Sequence, residues 1–247
     1  MNINLAWTGR ITALVLTAAG ICGVANADLI DVAFYNSGYG GTLPVGPAVL
    51  GQAGDQWNWI DAANCPSCPG NISLIATTGA GTPAVLNFTA DGAVRSATVG
   101  TAPDPNLMNN YIFNNTGGSL ALSLTGLAPS QTYSVVLYVS SFDASGGNRS
   151  LAGTVSGASV VPFSATGNPQ STFVNGQNLV ELSATSDVTG ALTITESDGL
   201  GNTSGEVDLN GLQVMNSSAT PEPGYTAVLL LGTVAALWRS RRVMRRQ

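Results

Sequence analysis

Asp55-Gln56-Trp57-Asn58-Trp59-Ile60-Asp61 places two tryptophans at i and i+2, on one face of any strand. A flat aromatic face flanked by Asn and Asp suits stacking on a pyranose ring, so Trp57, Trp59, Asn58 and Asp55 are the glycan-binding candidates. The alternative is that both indoles pack the core or seal a sheet edge, as large aromatics usually do. Asp55 and Asp61 are also the pair of carboxylates that a glycosidase would need as acid and base, although neither sits in a recognisable hydrolase motif. A second set of residues, Asp198, Asn202, Glu206 and Asp208, lies in a Gly-rich stretch leading into the last strand. Hard oxygen ligands at such spacing could hold a structural calcium ion, with Asp31 from the first strand as a fifth ligand. The spacing is not that of an EF-hand, and solvated loop acids are the plainer account. No other cofactor is called for.

Cys65 and Cys68 stand in Asn64-Cys65-Pro66-Ser67-Cys68-Pro69. Two thiolates do not fill a tetrahedral zinc site without histidine or further cysteines. No βαβ pattern surrounds them, so a thioredoxin-like redox pair is not expected. In an oxidising compartment the expectation is a disulfide pinning a Pro-rich loop, contributing little stability because the closed loop is so short.

Absent residue types narrow the chemistry further. The chain of 247 residues has no histidine and its eight basic residues are all arginine. Histidine-dependent catalysis, histidine-ligated metals, Schiff-base lysines and Ser-Lys nucleophiles are therefore excluded. Of its 14 acids only Glu222 falls outside residues 28–216, where Arg95 and Arg149 are the sole basic residues. So acidic and sparsely charged a surface does not suit nucleic acid.

The elements that must position these residues read as strands throughout. Leu120, Leu122 and Leu124 alternate with Ala121, Ser123 and Thr125, the period of a half-buried strand. Gly126-Leu127-Ala128-Pro129-Ser130 predicts a turn, and residues 133–139, apolar on both faces, predict a central strand. Further strands are expected over 29–35, 84–89, 151–156, 159–163, 179–183, 191–196 and 206–215, with turns at Asp91-Gly92, Gly146-Gly147, Asn175-Gly176 and Asp198-Gly199. In the last run Asn210-Gly211 shifts the phase between Val207 and Leu209 on one side and Leu212 and Val214 on the other, which predicts a bulge. No internal stretch keeps a helical period for three turns. The fold class is all-β: a single β-sandwich, jelly-roll-like, over 28–216.

Both ends carry addresses. Arg10, the apolar run 11–24 and Ala25-Asn26-Ala27 form a secretory signal peptide over 1–27, a substrate for the translocon and signal peptidase. A linker, 217–220, leads to Pro221-Glu222-Pro223 and an uncharged run over 224–238 that includes Tyr225, Leu229, Leu230, Leu231 and Trp238. Arg239, Arg241, Arg242, Arg245 and Arg246 follow. About 15 residues give only ~22 Å of helix against a ~30 Å hydrocarbon core, and a buried globular helix would be the reading by length alone. Bracketing aromatics and a one-sided basic cluster instead indicate a transmembrane helix with a cytoplasmic end over 239–247. Snorkelling arginines and a thin bilayer absorb the shortfall.

Pro221-Glu222-Pro223, the short apolar helix and the arginine-rich end together resemble the PEP-CTERM sorting signal of Gram-negative bacteria. The resemblance covers residues 221–247. It implies that an exosortase recognises the tail and processes it near Pro221-Glu222-Pro223, releasing or transferring the exported part at the cell surface, in an exopolysaccharide or biofilm setting. Three internal pieces resemble galactose-binding-like jelly rolls: residues 50–58, Leu124-Thr125-Gly126-Leu127-Ala128-Pro129-Ser130-Gln131-Thr132-Tyr133, and Val207-Asp208-Leu209-Asn210-Gly211-Leu212-Gln213-Val214. Such folds often carry a structural calcium near their chain ends, which is what the Asp198–Asp208 set would imply here.

The leading expectation is a non-catalytic exported protein, anchored and then processed at the envelope or matrix. Its sandwich would serve adhesion, matrix structure or weak binding of exopolysaccharide or another glycan. A carboxylate-dependent glycan-active enzyme and a purely structural matrix protein are the alternatives. Glycan binding predicts Trp57 and Trp59 exposed side by side; a structural filler buries both.

Overall fold

A computed structural model describes residues 29–38, 42–44, 48–62, 70–95, 103–115, 118–139, 149–168, 170–200, 202 and 205–217. The expected signal peptide, Cys65 and Cys68, the expected turn at Gly146-Gly147, residues 218–220 of the expected linker and the expected sorting tail lie outside the described residues.

The strands are β1 (Leu29–Tyr35), β2 (Trp57–Asp61), β3 (Ile72–Ile75), β4 (Gly81–Thr89), β5 (Gly92–Arg95), β6 (Asn110–Asn114) and β7 (Leu120–Thr125). After them come β8 (Thr132–Tyr138), β9 (Leu151–Ser156), β10 (Val160–Ala165), β11 (Leu179–Thr185), β12 (Leu192–Asp198), β13 (Val207–Leu209) and β14 (Gly211–Asn216). They form a five-stranded sheet, β11-β8-β14-β1-β2, a six-stranded sheet, β10-β9-β12-β7-β4-β3, and a three-stranded sheet, β13-β6-β5. One helical turn, α1 (Pro105–Met108), is started by Asp104, whose carboxylate accepts from the Asn106 and Leu107 amides, with Pro105 at the first helical position.

The sandwich core follows from period-2 parity. Leu120, Leu122 and Leu124 of β7, beside Ile194 of β12 in the same sheet, share one buried cluster with Val135 and Leu137 of β8 and Val32 and Phe34 of β1 from the other sheet. The expected turn after β7 forms, and the tyrosine that ends its motif shows why the pattern recurs. The Tyr133 hydroxyl accepts the Ala128 amide at 2.9 Å and clamps the turn onto its own downstream strand.

As expected, β8 is central and apolar on both faces. Val135 and Leu137 enter the sandwich core, while Val136 and Tyr138 point the other way into a second apolar cluster with Ala33, Trp57, Leu107, Met108 and Leu179. That cluster covers the outer face of the five-stranded sheet, and residues 48–50 and Phe173 pack against it. The strand pair β1–β14 is consequently buried on both sides along most of its length.

The expected bulge at Asn210-Gly211 is a change of sheet. β13 pairs with β6, and β14, one residue later, pairs with β1 and β8. Asn210, fully buried, donates to the Met108 and Asn110 carbonyls at 2.9 Å each, satisfying backbone groups that the crossing leaves without ladder partners. Gly211 then passes so close to β1 that a Cβ would sit 2.4 Å from the Val32 carbonyl oxygen. The phase shift was legible in the sequence, whereas its cause was not, because a bulge and a sheet switch both reverse side-chain parity. The strands β2, β3, β5 and β6 and the helix α1 are additions to the expected set.

Gly211→Ala is expected to lower stability by about 1–3 kcal/mol through that clash. Gly81→Ala, where a Cβ meets nothing within 4 Å, should change it by less than about 0.5 kcal/mol. Urea midpoints of the two variants check this, and equal midpoints would refute the crossing geometry.

Candidate functional site

β2 is an edge strand that pairs in parallel with β1, so Ala33 lies opposite Trp59 and Tyr35 opposite Asp61. The two tryptophans do share the outer face of this strand, but their surroundings differ. Trp57 is only 7% exposed and packs toward Tyr138, ring centroids 6.5 Å apart, under the cover of residues 48–50 and α1. Two residues along, Trp59 packs against the same cluster but is only half-buried. Its indole stacks on Tyr35 with centroids 4.5 Å apart and planes 15° from parallel. Burial and the neighbouring Asp61 carboxylate hold the Tyr35 phenol above its ordinary range, keeping it a neutral hydroxyl. Asp61 accepts the Ser37 amide at 3.2 Å, which ties the exit of β1 to the end of β2.

The other glycan-binding candidates serve the scaffold. Asn58 turns to the opposite face, where its amide donates to the Asp31 and Ile75 carbonyls (2.9 and 2.8 Å) and accepts the Ile75 amide at 2.8 Å. It thereby closes the edge of one sheet against β3 of the other. Asp55 accepts the Gln52 amide at 2.6 Å and shapes the turn before β2. Trp57 and Trp59 therefore do not stand exposed side by side; Trp57 is buried and Trp59 stacks on Tyr35. Asp55 and Asp61 stand before and at the end of β2, separated by at least about 13 Å of extended strand, too far for the ~5–9.5 Å of a glycosidase pair.

Beneath the aromatic edge runs a buried polar network. The Gln213 amide donates to Asp31 Oδ1 at 2.9 Å and to the Leu50 carbonyl at 3.0 Å. Its Oε1 accepts from the Tyr138 hydroxyl at 2.5 Å and from the Leu50 and Val49 amides at 2.9 and 3.2 Å. Asp31 is fully buried, and burial pushes its carboxyl up to about 7, against the lowering effect of the Gln213 bond and with a smaller push from Asp55. Burial likewise raises the Tyr138 phenol, so it stays a donor.

The five calcium candidates do not converge on one point. Asp31 belongs to the Gln213 network. Asn202 donates to the Ser150 and Glu206 carbonyls at 3.1 and 2.9 Å and reaches Asp198 at 3.4 Å. Glu206 and Asp208 both bind the Arg149 guanidinium, Asp208 at 2.7 Å. The arginine supplies the positive charge that a metal would have brought. Among the described residues no group of three or more acidic, cysteine or histidine side chains is arranged to hold a metal ion.

Glu196 completes this charged cluster and was not singled out in the sequence. It is fully buried on the inward face of β12, with no hydrogen-bond partner for either carboxylate oxygen. Burial first, and the Asp208 charge second, push its carboxyl up to about 8. A signal was available: Leu192, Ile194 and Glu196 share one parity, which points the glutamate into the core. Tyr35 had no such signal, because only the β1–β2 register brings it to Trp59.

No family model matches the chain, and no curated protein matches it. Among solved structures it is similar to the ANXUR1 extracellular domain from Arabidopsis thaliana, with a TM-score of 0.37 and 13% identity over 51% of this chain and 39% of that one. The chain thus spans well under half the length of that ectodomain. It is also similar to a native family 35 carbohydrate-binding module from Clostridium thermocellum (TM-score 0.29, 16% identity, 55% and 89% covered). A third similar structure is TmCBM61 in complex with β-1,4-galactotriose (TM-score 0.27, 12% identity, 54% and 84% covered). Superpositions this partial carry no argument about ligand or activity.

A carboxyl whose folded pKa lies above its unfolded value binds its proton more tightly in the native state. For Glu196 the resulting stability is fully present below pH ~4.5 and is lost as pH rises toward 8, above which the loss levels off. Glu196→Gln keeps the shape and removes the proton, so its melting temperature should gain on the wild type from pH 5 to pH 8. A constant difference across that range would refute the buried, raised carboxyl.

Proposed function

We propose that this is a non-catalytic exported protein whose β-sandwich binds glycan through the Tyr35–Trp59 stack. The single observation that carries the reading is a half-buried, near-parallel aromatic pair at the end of an edge strand, next to the Asp61 carboxylate. An indole held flat by a second ring offers a pre-organised face for the C–H groups of a pyranose, at little entropic cost because neither ring has to be ordered on binding. Asp61 and the Tyr35 hydroxyl add polar groups at the rim, able to accept and donate toward sugar hydroxyls.

Export and sorting belong to the same proposal. The signal peptide over 1–27 delivers the chain across the membrane, and the tail over 221–247 anchors it until an exosortase processes it near Pro221-Glu222-Pro223. The sandwich would then act at the cell surface or in the extracellular matrix. A purely structural matrix role is the second reading, favoured by the burial of Trp57.

Two measurements test this. Trp59→Ala should reduce retention of the protein on polysaccharide purified from the host matrix at least fivefold, with a small change in melting temperature. Trp57→Ala should instead destabilise by about 3–5 kcal/mol through the cavity it leaves. Unchanged retention with Trp59→Ala would leave the structural role standing. For sorting, the chain is tagged upstream of Pro221 and its size compared in strains with and without exosortase. Loss of roughly the last two dozen residues only where the enzyme is present is expected, and an intact tail in both strains would sink the processing step.

A further inference from the structure

The two outer faces of the sandwich are treated differently by the chain. The five-stranded sheet is roofed by its own loops and α1. On the six-stranded sheet, β4, β7 and β12 carry a shallow groove of about 290 Å³ on their outer side. Its floor lies along β7, where Ala121 and Ser123 are smaller than their neighbours. Asn87 and Asn71 wall one side, linked by a 3.1 Å amide hydrogen bond, and Thr193 walls the other. The register sets these side chains in cross-strand rows, Asn87 beside Ser123 and Ser123 beside Thr193. Rows of this kind repeat about 4.8 Å across strands and roughly 6.8 Å along them.

We propose that this groove is a second binding surface, for a strand of uncharged polysaccharide. The substrate class rests on the glycan reading above, but none of its residues is shared with the Tyr35–Trp59 stack. Charge supports the assignment. In a chain with 14 acids, the outward positions of β4, β7 and β12 include no ionisable group. A neutral chain of hydroxyls can lie there without repulsion and without stripping water from an ion. Protein partners fit poorly, because the groove has none of the exposed aromatic, methionine or arginine side chains that enrich protein interfaces. Nucleic acid and anionic lipid would need a basic surface that this face lacks. The groove is at the small end of ligand sites, about 300–1,000 Å³, so each engagement is weak. A polymer that also meets the aromatic stack gains avidity from the two together.

The test is a pull-down of the full-length chain on amorphous cellulose, insoluble β-1,3-glucan and cross-linked dextran, with alginate beads as the acidic control. Ser123→Arg and Ala121→Glu fill and charge the floor of the groove from the outer face, and Thr193→Lys charges its exposed wall should the first two fail to fold. Circular dichroism confirms folding in each case. The expected result is retention on at least one neutral polymer and not on alginate. The folded groove variants should lower that retention at least fivefold, and Trp59→Ala should lower it by a separate factor. Groove variants retained like wild type overturn the proposal, as does retention on none of the neutral polymers or equally on alginate. Loss with Trp59→Ala alone removes the groove and leaves the aromatic site, whereas loss with the groove variants alone removes the aromatic site and leaves the groove.

Discussion

Gln213 is buried on the side of the five-stranded sheet away from the sandwich core, and its one amide group joins β14 to Asp31, Tyr138 and the backbone of residues 49 and 50. A primary amide at that position has to find partners on both its oxygen and its nitrogen, and here it finds them in a loop distant in sequence. Those bonds bring residues 48–50 down over β1 and β14. The roof so formed converts an outer sheet face into a second apolar interior, where Trp57, Tyr138, Leu107 and Met108 pack. Trp57 is buried within that interior, while Trp59 packs against it half-buried and stacks on Tyr35.

The same reasoning accounts for two kinds of surface on one small domain. One sheet needs a cover because Ala33, Val136 and Tyr138 make its outer side apolar; the other needs none because its outer positions on β4, β7 and β12 are largely Ser, Thr, Asn and Ala. Both kinds of strand are ordinary for antiparallel sheets, whose faces can be solvated or buried independently. Here the contrast separates a stacked aromatic pair at one edge from a broad uncharged face on the opposite sheet.

Charge is sparse, and Asp31, Arg149, Glu196 and Asp208 carry some of it into the interior. Arg149 meets Glu206 and Asp208, and Glu196 lies near enough for the Asp208 charge to act on it. One cation cannot balance three carboxylates in an apolar surrounding, so the deepest of them keeps its proton. Two of the acids that looked in sequence like calcium ligands, Glu206 and Asp208, are instead paired with Arg149 through its Nη1.

How much was legible depended on how local each signal was. Alternation in 120–125, the two-faced run at 133–139 and the Gly-Leu-x-Pro-x-x-x-Tyr turn marked an all-β sandwich, since parity and turn chemistry act over neighbouring residues. The absence of histidine and lysine excluded whole reaction classes, and the expected addresses at the two ends rest, like these exclusions, on the sequence alone. Trp57 and Trp59 were rightly placed on one face. Which of them is presented, that Tyr35 rather than Trp57 stacks with Trp59, that residues 207–214 change sheets, and that Arg149 stands among the acids were decided by the tertiary structure. Each depends on register and on loops closing from far along the chain, and those contacts are set by packing between strands, which no local pattern encodes.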